Sequence, residues 1–514
     1  MTTIDSRVTT ADGIVEGARG KRSRRGTISW KGIPFAAPPV AGGRFRDPQP
    51  VHPWPGVRDC TRFAKAAIQE KRFTAVGPGR YQPMSEDCLT LNVFAPDRPS
   101  STPRPVMVFI HGGAYILGTA ATPLYEGSLL ARAQDVIVVT VQYRFGPFGY
   151  LDLSAYSSED RTYDSNLGLK DQVAALQWVQ TNIAAFGGDP ANVTVFGESA
   201  GGSAVVTLLS TPAAEGLFAR GIAESPACEL VVSADSASLY ADEFLRLLRD
   251  PERRATGFDP DAERLSTEDA QKLLARSSSR AIHQAGDRLM KFAMHADRAE
   301  SVPFGPVVDG TYLPASPLET ASRGQTLPVP LVIGSNHDEG LLFTKLWNVL
   351  PDAEKTLLRV DDEQAREDLA ALYDGARDRI ELTGDAVFWG PMTAFAAGHG
   401  SVAPTYVYRY DFHTRLLAAA GVRATHATEL FAVFGAYRTA IGAGLAVGDW
   451  RSTGRVINDV QDRWGAFATA GTPGTGWPTY DANRKVLIID DPDRVEVDPE
   501  GSRREAWSRV HAIV

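Results

Sequence analysis

Uninterrupted apolar runs punctuate the 514-residue chain at VMVFIH (106–111), DVIVVTVQY (135–143) and VTVF (193–196). Runs of this length, rich in Val and Ile, are the pattern of strands buried on both faces. Shorter runs at 219–223, 329–334 (VPLVIG), 405–411 (TYVYRYD) and 485–490 (KVLIID) predict four further strands. Between the second and third long runs the period changes. Across 167–186, Leu169, Val173, Leu176, Val179 and Ile183 recur at three- and four-residue steps, which predicts an amphipathic helix. Residues 236–300 and 350–400 also read as helical, charged on one face, and are expected to be insertions over one end of the sheet. GSRREAWSRVHAIV (501–514) reads as a last helix. The alternation implies an α/β fold: a mostly parallel sheet with helices on both faces, in one domain spanning 1–514.

The rest of the pattern is connective. Residues 33–55 are dense in proline, yet Phe35, Phe45 and Trp54 offer apolar anchors, so an ordered extended surface segment is expected. PDRPSSTPRP (96–105) reads as a solvent-exposed connection. Hydrophobic residues make up 43 % of the chain and charged residues 22 %, ordinary for a soluble protein with a large core. The net charge of −9 argues against a nucleic-acid partner. The short basic cluster Lys21–Arg25 is a solvated turn on this reading. No apolar run approaches the ~20 residues of a membrane span. The polar start MTTIDSRVTTADG shows no secretory pattern, so a cytoplasmic protein with no membrane partner is expected. The three cysteines, Cys60, Cys88 and Cys228, form no metal-binding spacing, and no metal site is expected.

One stretch carries chemistry. In VTVFGESAGGSA (193–204) a run of β-formers meets Gly197-Glu198-Ser199-Ala200-Gly201, followed by helix-compatible residues. Ligands bind at the carboxyl ends of buried parallel strands, and Ser199 lies just past such an end. A sharp strand-to-helix turn pushes the serine oxygen out and crowds the residues two before and two after it. Both must be small, and both are glycine. The Ala200 N–H, at the helix start, is left unpaired and pointing at the site. A serine hydroxyl is a poor nucleophile without a base, an acid that orients the base, and donors for the oxyanion. FIHGGAY (109–115), a strand ending in consecutive glycines, can bring backbone donors against a substrate carbonyl.

In this arrangement the partners follow in the order serine, acid, histidine. Histidines before Ser199 are therefore excluded, and His111 is expected to order the glycine loop. His426, in RATHATELFAVFG, stands at a loop–helix junction and leads the remaining candidates over His399, in a glycine loop, and His413, at a strand end. The acid belongs on a loop after a late strand. LVIGSNHDEGLLF (331–343) offers Asp338 and Glu339, and the residues alone do not choose between them.

These motifs resemble the type-B carboxylesterases, the α/β-hydrolase group that includes cholinesterases and bacterial esterases active on nitrobenzyl esters. The resemblance runs along nearly the whole chain: ISWKGIPFAAPPVAGGRFRDPQPVHPW near the start, SEDCLTLNVFAP (85–96), residues 166–202 through the serine, GSNHDEG (334–340) and HATELFAVFG (426–435). It implies Ser199 as nucleophile, Glu339 as acid and His426 as base. It implies Gly113, Ala114 and Ala200 as oxyanion donors, with Gly-Gly-Ala in place of a glycine triplet. Ser225, in AESPA, resembles a serine that supports the acid, a plain strand-end serine being the alternative. Some members bridge the cysteines matching Cys60 and Cys88. Phe304, Leu342 and Phe343 fall where the family lines its acyl and alcohol pockets, core packing being the alternative. The Cys60–Cys88 loop lacks the tryptophan with which cholinesterases hold the choline cation. The function implied is hydrolysis of small to medium aliphatic or aromatic carboxylic esters through an acyl-enzyme, with a small-molecule ester as partner and no cofactor. Amide, carbamate or thioester hydrolysis by the same residues is the alternative, and a non-catalytic scaffold the remote one. Monomer and homodimer both stay open.

Overall fold

Each buried run predicted to be a strand is one. The computed structural model describes residues 4–253, 263–295, 302–344, 353–375 and 377–510. Among these, eleven strands form one sheet. In chain order they are β1 (Ala18–Arg19), β2 (Thr27–Pro34), β3 (Thr90–Pro96), β4 (Arg104–Ile110), β5 (Ile137–Val141), β6 (Gly188–Glu198), β7 (Arg220–Glu224), β8 (Leu331–Asn336), β9 (Thr405–Tyr410), β10 (Lys485–Ile489) and β11 (Arg494–Val497). Across the sheet the order is β11-β10-β9-β8-β7-β6-β4-β5-β3-β2-β1. Every neighbouring pair from β5 to β10 is parallel. Antiparallel pairing is confined to the margins.

β4 shows why the central strands are so largely apolar. Val106, Val108 and Ile110 join one hydrophobic cluster, and Met107 and Phe109 join another. Successive side chains point to opposite faces, so both faces of the sheet are covered. The helix predicted at 167–186 is α-helical over Leu167–Asn182 and 3₁₀ over Ile183–Phe186. The marginal strands had no such signal. The register of β2 shifts between Trp30 and Ile33, which breaks its alternation, and β11 leaves Val495 and Val497 exposed.

The two segments expected to be insertions are helical where described. Ala234–Arg249, Thr267–Arg276 and Ser279–His295 lie between β7 and β8. Ala353–Leu358, Glu363–Leu372, Asp378–Gly384 and Gly390–His399 lie between β8 and β9. Residues 254–262, 296–300, 350–352 and 376 of these segments lie outside the described residues. The C-terminal helix spans Gly501–Trp507 rather than 501–514, and residues 511–514 lie outside the described set.

The Cys60–Cys88 bridge that the resemblance allowed is not formed: both are free, buried thiols, as is Cys228. Burial pushes the Cys60 thiol up to about 11 and the Cys88 thiol further upward. The thiolate that attacks in disulfide formation is therefore disfavoured at both positions.

Parallel pairing brings several strand ends to one edge. β4 runs into His111-Gly112-Gly113, β6 into Ser199, β7 into Ser225, and β8 into His337-Asp338-Glu339. The pairs Gly197–Ile110, Glu198–Glu224 and Glu224–Gly334 hold these ends side by side.

Candidate active site

Ser199 sits at the bend with φ 59° and ψ −126°. Positive φ is strained for a residue with a side chain and persists only where the surroundings enforce it. Here its N–H donates to the Glu224 carbonyl at 2.9 Å, and its own carbonyl accepts from the Ser203 N–H at 2.8 Å. The helix Ala200–Leu209 therefore starts at once. The flanking glycines are a matter of clearance. A Cβ on Gly197 would lie 2.5 Å from the Gly201 carbonyl oxygen, and one on Gly201 would overlap the Ile110 carbonyl of β4.

Opposite the bend, the loop after β4 turns back on itself: the Ile116 and Leu117 N–H groups donate to the Gly113 carbonyl at 2.9 and 3.1 Å. Gly113 and Ala114 both have positive φ, at 116° and 51°. Among the described residues, the N–H groups of Gly113, Ala114 and Ala200 have no protein acceptor. His111 supports this loop from beneath. It stacks on Tyr143 with ring centroids 4.7 Å apart, and the Tyr143 hydroxyl donates to the His111 carbonyl at 2.8 Å. Burial holds its imidazole down at about 4, so it adds no charge at neutral pH.

The two acids of the β8 loop point different ways. Asp338 is engaged by Arg377 at 2.7 Å and by His337 at 3.4 Å. Glu339 accepts from the Asn336 N–H through Oε1 at 2.7 Å, and its Oε2 lies 2.5 Å from His426 Nδ1. His426 Nε2 lies 3.0 Å from Glu198 Oε1 without the alignment of a hydrogen bond. Among the described residues no hydrogen bond joins Nε2 to Ser199. The imidazole is thus held between two carboxylates, one of them the residue next to Ser199. Burial works against its positive form, but Glu198 and Glu339 outweigh burial and raise it above the usual histidine range. Glu198 is itself raised, by burial first.

Two phenyl rings cover the imidazole: Phe343 at 4.9 Å and Phe388 at 4.6 Å between centroids, stacked on each other at 5.5 Å. Phe343 was a pocket candidate from the sequence, whereas Phe388, inside a segment read only as helical, was not. Leu342 is half-buried in the same loop, its N–H donating to Thr425 Oγ1 at 2.8 Å. Phe304 lies in the main hydrophobic cluster, close to Gly286.

Ser225 is buried, and its hydroxyl accepts from Asn336 Nδ2 at 3.4 Å. The same amide donates to Glu429 Oε2 at 2.5 Å, so Ser225 meets Glu339 only by way of Asn336. Glu429, three residues after His426, is pushed up by burial and then by Glu198 and Glu339. Glu198, Glu429 and Asn336 are site residues that sequence reasoning did not name. Adjacency to Ser199, to the loop of His426 and, for Asn336, to the acid loop of Glu339 was the only signal for them.

A profile of the carboxylesterase family matches residues 4–507. The chain is 38 % identical over 512 residues to the para-nitrobenzyl esterase of Bacillus subtilis (strain 168), covering 97 % of each. It is 33 % identical over 508 residues to the liver carboxylesterase of Sus scrofa, covering 89 % of this chain and 84 % of the relative. A solved PNB esterase structure matches with a TM-score of 0.85 at 36 % identity, over 98 % of this chain and 99 % of that one. The sheet is that of an α/β-hydrolase, and with a match running nearly end to end on top of it, the chain belongs to the carboxylesterase family.

Proposed function

We propose that this carboxylic ester hydrolase works through an acyl-enzyme on Ser199. His426 Nε2 leaves Glu198 and takes the Ser199 proton as the oxygen attacks the ester carbonyl. Catalytic hydrogen bonds are often loose in the substrate-free state and tighten on binding. The N–H groups of Gly113, Ala114 and Ala200 receive the oxyanion, aimed at charge that exists only in the transition state. The alcohol departs with the proton from His426, and water activated by the same imidazole releases the acid. Glu339 holds Nδ1 protonated and stabilises the imidazolium. Among the described residues, the N–H groups of Gly113, Ala114 and Ala200 make no hydrogen bond that this role would have to break.

The observation that carries this reading is the strained Ser199 at the strand–helix bend, with a buried imidazole 3.0 Å from the side chain of its neighbour Glu198 and held at Nδ1 by a carboxylate 2.5 Å away. Phe343, Phe388 and Leu342 make the surroundings of the base apolar. They favour small to medium esters with aliphatic or aromatic groups, of which nitrobenzyl esters are one kind. Hydrolysis of p-nitrophenyl butyrate by purified protein tests the reading. Ser199→Ala is expected to lower kcat by about 10,000-fold or more. A folded Ser199→Ala protein that keeps wild-type turnover rules the mechanism out.

A further inference from the structure

The helical rod from Asp378 to His399 is interrupted. It is α-helical to Gly384, π-helical over Asp385–Trp389 and α-helical again from Gly390. A π turn, with i→i+5 bonding, is rare and is found most often at functional sites. One side of this turn carries Phe388, whose ring lies against His426 and Phe343. The turn also carries Asp385, whose Oδ2 accepts from the Tyr373 hydroxyl at 2.6 Å. That hydroxyl accepts in turn from Trp507 Nε1 at 3.0 Å.

Trp507 closes the C-terminal helix Gly501–Trp507. Its indole also sits on the rod just past the π turn: a Cβ on Gly390 would lie 3.3 Å from Trp507 Cγ. From the same helix, Arg503 covers the Tyr373 ring at 4.3 Å and bonds to Glu381 and Asp378 at 3.0 and 3.2 Å. The end of the chain thus grips the rod before, at and after its irregular turn. Among the described residues, no hydrogen bond or ring contact joins Asp385, Tyr373 or Trp507 to His426 or Ser199. Their path to the imidazole runs through the turn and Phe388, and just before the turn the rod also packs on the acid loop, where a Cβ on Gly384 would lie 3.2 Å from Glu339 Cβ.

We propose that Asp385, Tyr373 and Trp507 are positioning residues for ester hydrolysis, holding the π turn that sets Phe388 against the imidazole of His426. This rests on the reading of His426 as the general base. With the ring in place, the imidazole is sheltered from water and restrained from tilting away from Ser199. With the relay cut, the turn is free to return to α-helical spacing, which rotates Phe388 off the ring. The charged groups facing His426 are Glu198 from the end of β6, Glu339 from the loop after β8 and Glu429 from its own loop. Among the described residues none of these three carboxylates is bonded to Asp385, Tyr373 or Trp507, so Tyr373→Phe removes no charge facing His426 and a change in its titration reports its hydration. Water admitted beside the ring weakens both the burial that lowers the imidazole pKa and the pull of Glu198 and Glu339 that more than offsets burial, so the pKa falls back toward the ordinary histidine range. The acid limb of kcat/KM then moves to lower pH.

The test uses the full-length enzyme with p-nitrophenyl acetate. Tyr373→Phe removes one oxygen, Phe388→Leu removes the ring, and Asp385→Ala removes the acceptor, while Asp385→Asn keeps an oxygen that can accept from Tyr373. The first three are expected to lower kcat roughly ten- to a hundredfold, the scale of a misplaced catalytic group, with KM little changed and the acid limb shifted to lower pH. Asp385→Asn is expected to stay close to wild type. The His426 imidazole proton, followed by NMR without substrate, should titrate at lower pH in Tyr373→Phe. A folded Tyr373→Phe protein with wild-type kcat and acid limb overturns the proposal. So does a loss of activity that merely tracks the unfolded fraction while the imidazole titration stays put. If His426→Ala instead retains turnover, the reading of the base fails, and the NMR titration still decides whether Tyr373 positions Phe388.

Discussion

Glu198 ends β6 and faces the imidazole across 3.0 Å, directly beside the proposed nucleophile. Together with Glu339 it holds the histidine above its usual range, despite burial. The sign of its removal follows. Glu198→Gln deletes one of the three carboxylates that favour the imidazolium, so His426 should lose its proton at lower pH. The acid limb of kcat/KM is expected to move down by about one pH unit, the effect of one close opposite charge. Loss of Phe388 is expected to move it in the same direction. An acid limb that does not move in Glu198→Gln would show that the carboxylate does not influence the working base. The residue scale is also where sequence reasoning had to stop. Asp338 and Glu339 share a loop, a charge and a place in the chain order. Only side-chain direction separates them: Arg377 engages the first, and the second lies against His426. The type-B resemblance, not the residues themselves, had already favoured glutamate.

Among the elements, the bend at Ser199 is the most tightly determined by its residues. Gly201 lets the helix lie against the backbone of β4, and a methyl group there would overlap the Ile110 carbonyl. Neither partner can turn aside, since both are backbone. Gly201→Ala is therefore expected to lower stability by about 1–3 kcal/mol, as overpacking does, and to lower kcat as β4 and its glycine loop are pushed from Ser199. The midpoint of urea unfolding, read beside turnover, checks it. A variant with an unchanged midpoint would mean that the helix and β4 are not in close contact. Most strands buried on both faces were legible because their positions are largely apolar, but β3, buried at all seven positions, was not, since Thr90 and Asn92 interrupt its apolar run. β2 was not, since its register breaks at Trp30, nor was β11, which leaves two valines in solvent. The π turn at Asp385–Trp389 has no signature in the hydrophobic period. Its bonds run to Tyr373 and through it to Trp507, far along the chain, and so Phe388 was invisible to pattern reading.

At the scale of the molecule, the sheet converts separation along the chain into proximity. β4, β6, β7 and β8 deliver the glycine loop, Ser199, Ser225 and Glu339 to one edge, and the loop beyond β9 adds His426. The C-terminal helix closes around the rod that carries Phe388. Covalent capture asks directly whether this assembly activates one serine. Incubation with a diethyl p-nitrophenyl phosphate ester, followed by peptide mass spectrometry, should place one diethylphosphoryl group on Ser199 in step with loss of activity, and leave His426→Ala almost unlabelled. Complete inactivation with Ser199 unmodified, or a label carried on another residue, would contradict the account.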